Sequence, residues 1–185
     1  MRKLTVFNTM SLDGFIADSK GEVSWAHQQD PEWNSFVRAN ASGEAVLVFG
    51  RKTYDMMAGY WPTPMAAQNA PVVAKRMNEL QKMVFSQRME KALWQNTTLL
   101  KGDPGEEMKR LKQQPGPDLV ILGSASIVAQ LSDARLIDEY QLALAPVLLG
   151  GGRSMFTAIR EKLALRLAGT RSFQNGTVFL TYHRA

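Results

Sequence analysis

Gly50, Arg51, Lys52 and Thr53 stand directly after five apolar residues, in the stretch AVLVFGRKTYDMM. A chain that leaves a buried strand through a glycine, two cations and a hydroxyl has the parts of an anion site. If Arg51 begins a helix, the free N–H groups of its first turn point at whatever precedes it. The Arg51 guanidinium adds a two-pronged contact to a phosphate, and the Thr53 hydroxyl a further donor. Gly50 lets the backbone come close to a ligand, or it only relieves a tight strand-to-helix turn. The stretch is not a P-loop, because the second glycine and the GK[ST] spacing are missing. A second junction, DLVILGSASIVAQL, puts Gly123, Ser124, Ala125 and Ser126 where a helix begins. Two such junctions fit the crevice that open α/β sheets form at their carboxyl edge. Reading Ser124 as a helix cap explains that residue but not its small neighbours.

Other residues carry weaker signals. Asp13, beside Gly14 in the loop after the first strand, suits substrate positioning or a proton relay, and equally an Asx-turn. Tyr60 and Trp61 lie in a proline-rich stretch and can wall a planar heterocycle or simply pack. Gly150, Gly151 and Gly152 leave room for a substrate phosphate with Arg153 as partner, or make a plain turn. Cysteine is absent, which excludes disulfides, thiolate nucleophiles and cysteine zinc sites. The two histidines, His27 and His183, are far apart, no carboxylate cluster suggests a metal, and no Ser-His-Asp pattern occurs.

These residues need a scaffold, and 185 residues are enough for one domain with a real core. Hydrophobic residues make up 45% and charged residues 21% of the chain, an ordinary globular balance. No apolar run approaches the ~20 residues of a membrane span. MRKLTVFNTM does not read as a signal peptide, so the cytoplasm is the expected location. The net charge is +5 and the pI about 9.6. The cations are spread among acids, which suits one local anion site better than a nucleic-acid face.

Residues 3–9 read as a first strand, followed by a loop with a short strand piece inside it. Asp30-Pro31 starts a helix that puts Trp33, Phe36 and Val37 on one face. Residues 46–49 form a buried strand, 53–57 open a short helix, and 59–71 read as a loop with three prolines. Residues 82–86 and 97–100 are short strands. Asp103, Pro104 and Glu106 have capping-box spacing for a helix to about Gln113. Residues 118–123 are a strand, Ile127, Val128 and Leu131 point inward from the next helix, and 139–149 form another apolar run. Strands at 163–173 and 177–184 join through Asn175-Gly176, a hairpin signal. The alternation predicts an α/β fold with a mixed sheet and helices on both faces.

SLDGFIA, VFGRKTYDMM, MVFSQ, VILGSASIVAQL and DEYQLALAPVLLGGGRSMF together resemble, in order and spacing, the dihydrofolate reductase-like family. The branch they resemble includes the reductase domain of bacterial riboflavin biosynthesis. The resemblance implies a three-layer αβα sandwich, one domain over residues 1–185, around a mixed, mostly parallel sheet with a C-terminal antiparallel hairpin. It implies NADPH as cofactor. Gly50, Arg51, Lys52 and Thr53 match the family's phosphate-binding turn, and Ser86, Gln87 and Arg88 the segment that receives the adenosine ribose and its 2′-phosphate. Gly123, Ser124, Ala125, Ser126 and Ile127 match the segment beside the pyrophosphate and nicotinamide, and Ile16 and Ala17 the backbone at the carboxamide. Asp13 then stands as the catalytic candidate, with Trp25, Tyr60, Gly151 and Arg153 on the substrate side. The family's pterin-pairing acid falls on Asn34, which cannot ionise, and its paired glycines become Gly123-Ser124. The expected function is NADPH-dependent reduction of a pterin-like or ribosylamino-pyrimidine-like molecule, with a homodimer plausible. A non-catalytic nucleotide-binding protein and a basic nucleic-acid module remain the alternatives.

Overall fold

Residues 46–49 show how the layers arise. In this strand Val46 and Val48 face one hydrophobic cluster, while Leu47 and Phe49 face another, the two-residue alternation of a strand buried on both sides. The structure, a computed structural model, describes residues 1–26, 30–41 and 43–185. His27 lies outside the described residues.

In chain order the elements are β1 (Leu4–Ser11), β2 (Phe15–Ala17), α1 (Pro31–Ala41), β3 (Ala45–Gly50) and α2 (Arg51–Tyr60). Then come α3 (Pro64–Asn69), α4 (Pro71–Glu79), β4 (Gln81–Phe85), β5 (Thr97–Leu100), α5 (Pro104–Gln113) and β6 (Asp118–Leu122). The last are α6 (Ala125–Asp133), β7 (Glu139–Ala145), β8 (Arg153–Ser154), β9 (Leu165–Ser172) and β10 (Val178–Arg184). Eight strands form one sheet in the order β5-β4-β3-β6-β1-β7-β10-β9. Pairings from β5 to β7 are parallel, and β10 runs antiparallel to both β7 and β9. β2 and β8 make a separate two-stranded ribbon.

Helices cover both faces. Met108 and Leu111 of α5 and Ile127, Val128 and Leu131 of α6 pack on one side with Leu4, Val6, Val48 and Ile121. Tyr54 of α2 and Met77 of α4 pack on the other with Leu47, Phe49 and Trp94. Trp33, Phe36 and Val37 of α1 join Phe173 and Phe179 on that same side, above β7 and β10. The fold is the expected three-layer α/β sandwich with a mostly parallel sheet and a C-terminal antiparallel hairpin. Among the described residues, no helix is long and apolar enough to cross a membrane.

Two local expectations need correction. Residues 59–71 do not form one loop. Pro64 and Pro71 each open a helix, where their missing N–H is not needed, and the Thr63 hydroxyl accepts from Ala66 N at 3.2 Å as the cap. The apolar run 139–149 is strand only to Ala145, because Pro146 follows and the chain turns. The hairpin turns through Asn175-Gly176 as expected: Phe173 N donates to Thr177 O, and within the loop Gly176 takes a positive φ, +84°. That makes a three-residue loop with glycine at its left-handed position.

α4 ends on a buried lysine. Lys82 is 1% exposed, and its Nζ donates to the carbonyls of Met77, Asn78 and Leu80 at 2.8, 3.1 and 2.6 Å. It also sits 4.5 Å from the centre of the Trp94 ring. The ammonium thus caps the negative end of the helix, while burial pushes its pKa down to about 8.

Candidate functional site

The connection after β3 runs outward to β4, whereas that after β6 crosses β1 to β7. Right-handed crossovers in opposite directions put α2 and α6 on opposite faces, so their N-termini meet across the β3–β6 pair. The two junctions are locked together. Gly50 N donates to Ser124 Oγ at 2.6 Å, and Ser124 Oγ donates to Thr53 Oγ1 at 3.0 Å. Ser124 N also donates to Thr53 Oγ1 at 3.0 Å. A β-carbon on Gly50 would stand 3.0 Å from Ser124 Oγ, and one on Gly123 would stand 2.7 Å from Thr53 Cγ2. Both glycines are therefore needed for this contact. Gly123 and Ser124 each have φ +63°, a left-handed pair in which serine carries strain that glycine does not.

The lock engages both hydroxyls but leaves the helix ends open. Neither Gly50 nor Ser124 caps its helix through a side chain, which leaves the first turn of α2 and the Ala125 and Ser126 N–H groups of α6 open to a ligand, while Ile127 N donates to Ser124 O at 2.9 Å. A β3–β4 register with Gly50 opposite Phe85 brings Ser86, Gln87 and Arg88 alongside. Ser86 Oγ accepts from Arg88 N and Met89 N at 3.3 and 3.0 Å, and Gln87 Nε2 donates to Lys101 O. That loop is held by its own side chains. Arg51 bonds Asp55 at 2.9 Å on the exposed side of α2. Lys52 and Arg88 are exposed cations without an ion pair among the described residues.

Asp13, Ile16, Ala17, Gly151 and Arg153 form a second cluster, beyond the carboxyl ends of β1 and β7. Asp13 accepts from Ser11 Oγ at 2.6 Å and Gly150 N at 2.7 Å, and from Leu149 N at 3.1 Å. The Ser11 hydroxyl, with those two amides, holds the carboxyl below the usual carboxylate range. Asp13 is thus an ionised clamp on the 146–150 loop. In the ribbon Ala17 pairs with Arg153, and a β-carbon on Gly152 would stand 2.1 Å from Ala17 O. Trp25 sits nearby in a single 3-10 turn at Ser24–Ala26, its Nε1 donating to Glu22 O at 3.1 Å.

Two sequence candidates lie elsewhere or carry no charge. Tyr60 is the last residue of the 10-residue α2, about 14 Å along the axis from Arg51, and stacks edge-on against Trp61. The crevice does not include it. Asn34 is exposed on α1, and its neighbours are committed: Asp30 caps Trp33 N at 2.6 Å, and Glu32 pairs with Arg171 at 2.9 Å.

Sequence reasoning missed Asn8. It stands on β1 among core-facing Leu4, Val6 and Met10, and its Oδ1 accepts from Gly123 N at 2.9 Å. Its Nδ2 is buried with no partner among the described residues. A lone amide at an inward position of an apolar strand was the available signal. Among the described residues, no group of three histidines or carboxylates could hold a metal.

The RibD C-terminal domain family model matches residues 2–179. The chain belongs to the RibD C-terminal domain family. YyaP, an uncharacterized protein of Bacillus subtilis (strain 168), is 30% identical to this RibD C-terminal domain over 98% of the chain and 95% of its own length. A protein of Shewanella sp. PV-4 assigned to riboflavin biosynthesis is 25% identical, with a TM-score of 0.79 over 100% of this chain and 99% of the other. Dihydrofolate reductase from Enterococcus faecalis, solved with NADP(H), shares the fold at 16% identity. Its TM-score is 0.64, over 98% of this chain and 96% of the other. The fold is of reductase type.

Proposed function

We propose that this protein is an NADPH-dependent reductase of a small planar heterocycle, pterin-like or ribosylamino-pyrimidine-like. The observation that carries the reading is the pair of helix N-termini, neither capped by a side chain, meeting across β3 and β6, with Lys52 and Arg88 beside them and in no ion pair among the described residues. Such an arrangement fits an extended polyanion. The first-turn amides at Arg51, Lys52, Thr53, Ala125 and Ser126 would take the diphosphate, with Ile127 beside it. Gly50 and Gly123 allow the junctions to close around it. Ser86, Gln87 and Arg88 would take the adenosine ribose, with Arg88 on the 2′-phosphate. Ile16 and Ala17 offer backbone to the nicotinamide, and Trp25, Gly151 and Arg153 border the substrate. NADPH, when bound, supplies a hydride. The chain's part is to align ring and substrate and to exclude water. Asp13, ionised and clamped, positions the 146–150 loop against the substrate. A small polyanionic ligand, rather than nucleic acid, accounts for the basic charge.

Titration of NADPH and NADH by nicotinamide fluorescence tests this. The expected result is saturable, NADPH-selective binding, weakened by Arg51→Ala and Arg88→Ala, with Arg88→Ala removing the selectivity. No saturable binding of either nucleotide refutes it. One observation favours a second reading, a nucleotide-binding protein without turnover: Asn34 cannot ionise and Asp13 is held ionised. NADPH binding without oxidation across a screen of dihydrofolate and ribosylamino-pyrimidines would select that reading.

A further inference from the structure

We infer that Asn8 is a ligand-contacting residue, whose Nδ2 donates to the carboxamide oxygen of a nicotinamide seated at the β6–β1 end of the crevice. This rests on the reading of the crevice as a dinucleotide site and adds a residue to it. Asn8 is 8% exposed, and its Nδ2 has neither exposed surface nor a hydrogen-bond partner among the described residues. The amide's orientation is determined by Gly123, whose N–H requires an acceptor and receives Oδ1 at 2.9 Å. The unpaired group is therefore a donor. A buried donor left unpaired weakens the fold, and Leu4, Val6 and Met10 on the same face show that packing alone asks for an apolar side chain. Position names the occupant. The register puts Phe7 opposite Leu122, so Asn8 is level with Gly123 and on the β1 side of the junction. Arg88 and the β4 end lie on the opposite side of β3. A dinucleotide with its adenosine at β4 and its diphosphate between α2 and α6 brings its other ring toward β1. That ring's carboxamide carries an acceptor oxygen, which is what the orphan lacks. Because Nδ2 has no exposed surface, the ring must displace what covers it, and that cost falls on the nicotinamide half alone.

Asn8→Asp keeps an oxygen for Gly123 N and removes the donor, at the cost of an added negative charge. Asn8→Leu removes the amide without adding charge. Both are titrated with NADPH and with 2′-phospho-ADP-ribose, which has every part of the cofactor except the nicotinamide. The expected result is NADPH binding weakened by about tenfold or more in both variants, the worth of one ordinary hydrogen bond. Binding of 2′-phospho-ADP-ribose should stay within about twofold of the parent protein. Equal weakening of both nucleotides would overturn the contact and assign Asn8 to holding Gly123. No change in either, or NADPH affinity intact while only substrate KM rises, would also overturn it. A parent protein that binds 2′-phospho-ADP-ribose and NADPH while ignoring Asn8 defeats this inference alone. One that binds neither defeats the dinucleotide reading with it.

Discussion

Ser124 offers the sharpest test of the lock between the two junctions, because two substitutions there separate two energies. Its Oγ is the acceptor for the buried Gly50 N–H at 2.6 Å, and the residue itself is 8% exposed. Ser124→Ala leaves that N–H without a partner, at a cost of about 1–3 kcal/mol, and keeps a β-carbon at φ +63°. Ser124→Gly loses the same hydrogen bonds but relieves left-handed strain of about 1–2 kcal/mol, offset partly by glycine's greater freedom when unfolded. The glycine variant should therefore be the more stable of the two by about 1 kcal/mol. For 185 residues the unfolding entropy is about 390 cal/mol/K, so 1 kcal/mol moves Tm by about 2.6 °C. Thermal melts should show Ser124→Ala lower than the parent by about 3–8 °C, with Ser124→Gly about 3 °C above Ser124→Ala. A glycine variant no better than alanine would refute the strain argument. An alanine variant within about 1 °C of the parent would refute the hydrogen-bond argument.

Lys82 binds its proton less tightly when folded, about 8 against 10.5, so the unfolded chain takes up more protons between those values. Stability should rise with pH across that window, by up to about 3 kcal/mol. The difference in urea midpoint between parent and Lys82→Met should show this rise, and a flat difference would contradict it. Asp13→Ala should speed hydrogen exchange of the Leu149 and Gly150 amides at least about tenfold, because both lose their acceptor. In the parent that protection should fade as pH drops below the ordinary carboxyl value of 3.8, since the depressed carboxyl then begins to protonate. Unchanged exchange in Asp13→Ala would remove the clamp. Gly152→Ala puts a β-carbon 2.1 Å from Ala17 O at φ +143°, and should destabilise by about 2 kcal/mol or more. A near-parental melting temperature would show that the β2–β8 ribbon gives way without cost.

Legibility followed how local each signal was. Buried strands such as Val46 to Phe49, and Asp103 capping α5 through Glu106 N, are encoded in a few neighbouring residues, and those elements were readable. Pro64 and Pro71 were misread because proline marks both a loop and the first turn of a helix, and only Thr63 and the packing of Ala66 and Ala74 separate the cases. β8 was not readable at all. Its two residues have strand form because they lie against β2, more than a hundred positions away. Asn8 shows the same limit at the site. Its type is visible in the sequence, but the half-satisfied amide depends on Gly123, 115 residues distant.

The same distinction resolves what Gly50 does. Ligand approach and relief of a tight turn looked like rival explanations, and both treated the glycine as serving its own junction. In the structure it serves the other one: its missing side chain is the space that Ser124 and Ile127 occupy, and its N–H is spent on Ser124. Gly123 does likewise for Thr53. Any anion binding at the crevice must therefore come from the amides of the first turns and from Arg51, Lys52 and Arg88, not from the glycines or the Ser124 hydroxyl. It follows that Gly50→Ala should damage cofactor binding through the lock, with a fall in Tm, whereas Arg88→Ala should damage it with Tm unchanged. A Gly50→Ala protein that melts like the parent yet binds no NADPH would return Gly50 to the role of a direct ligand contact.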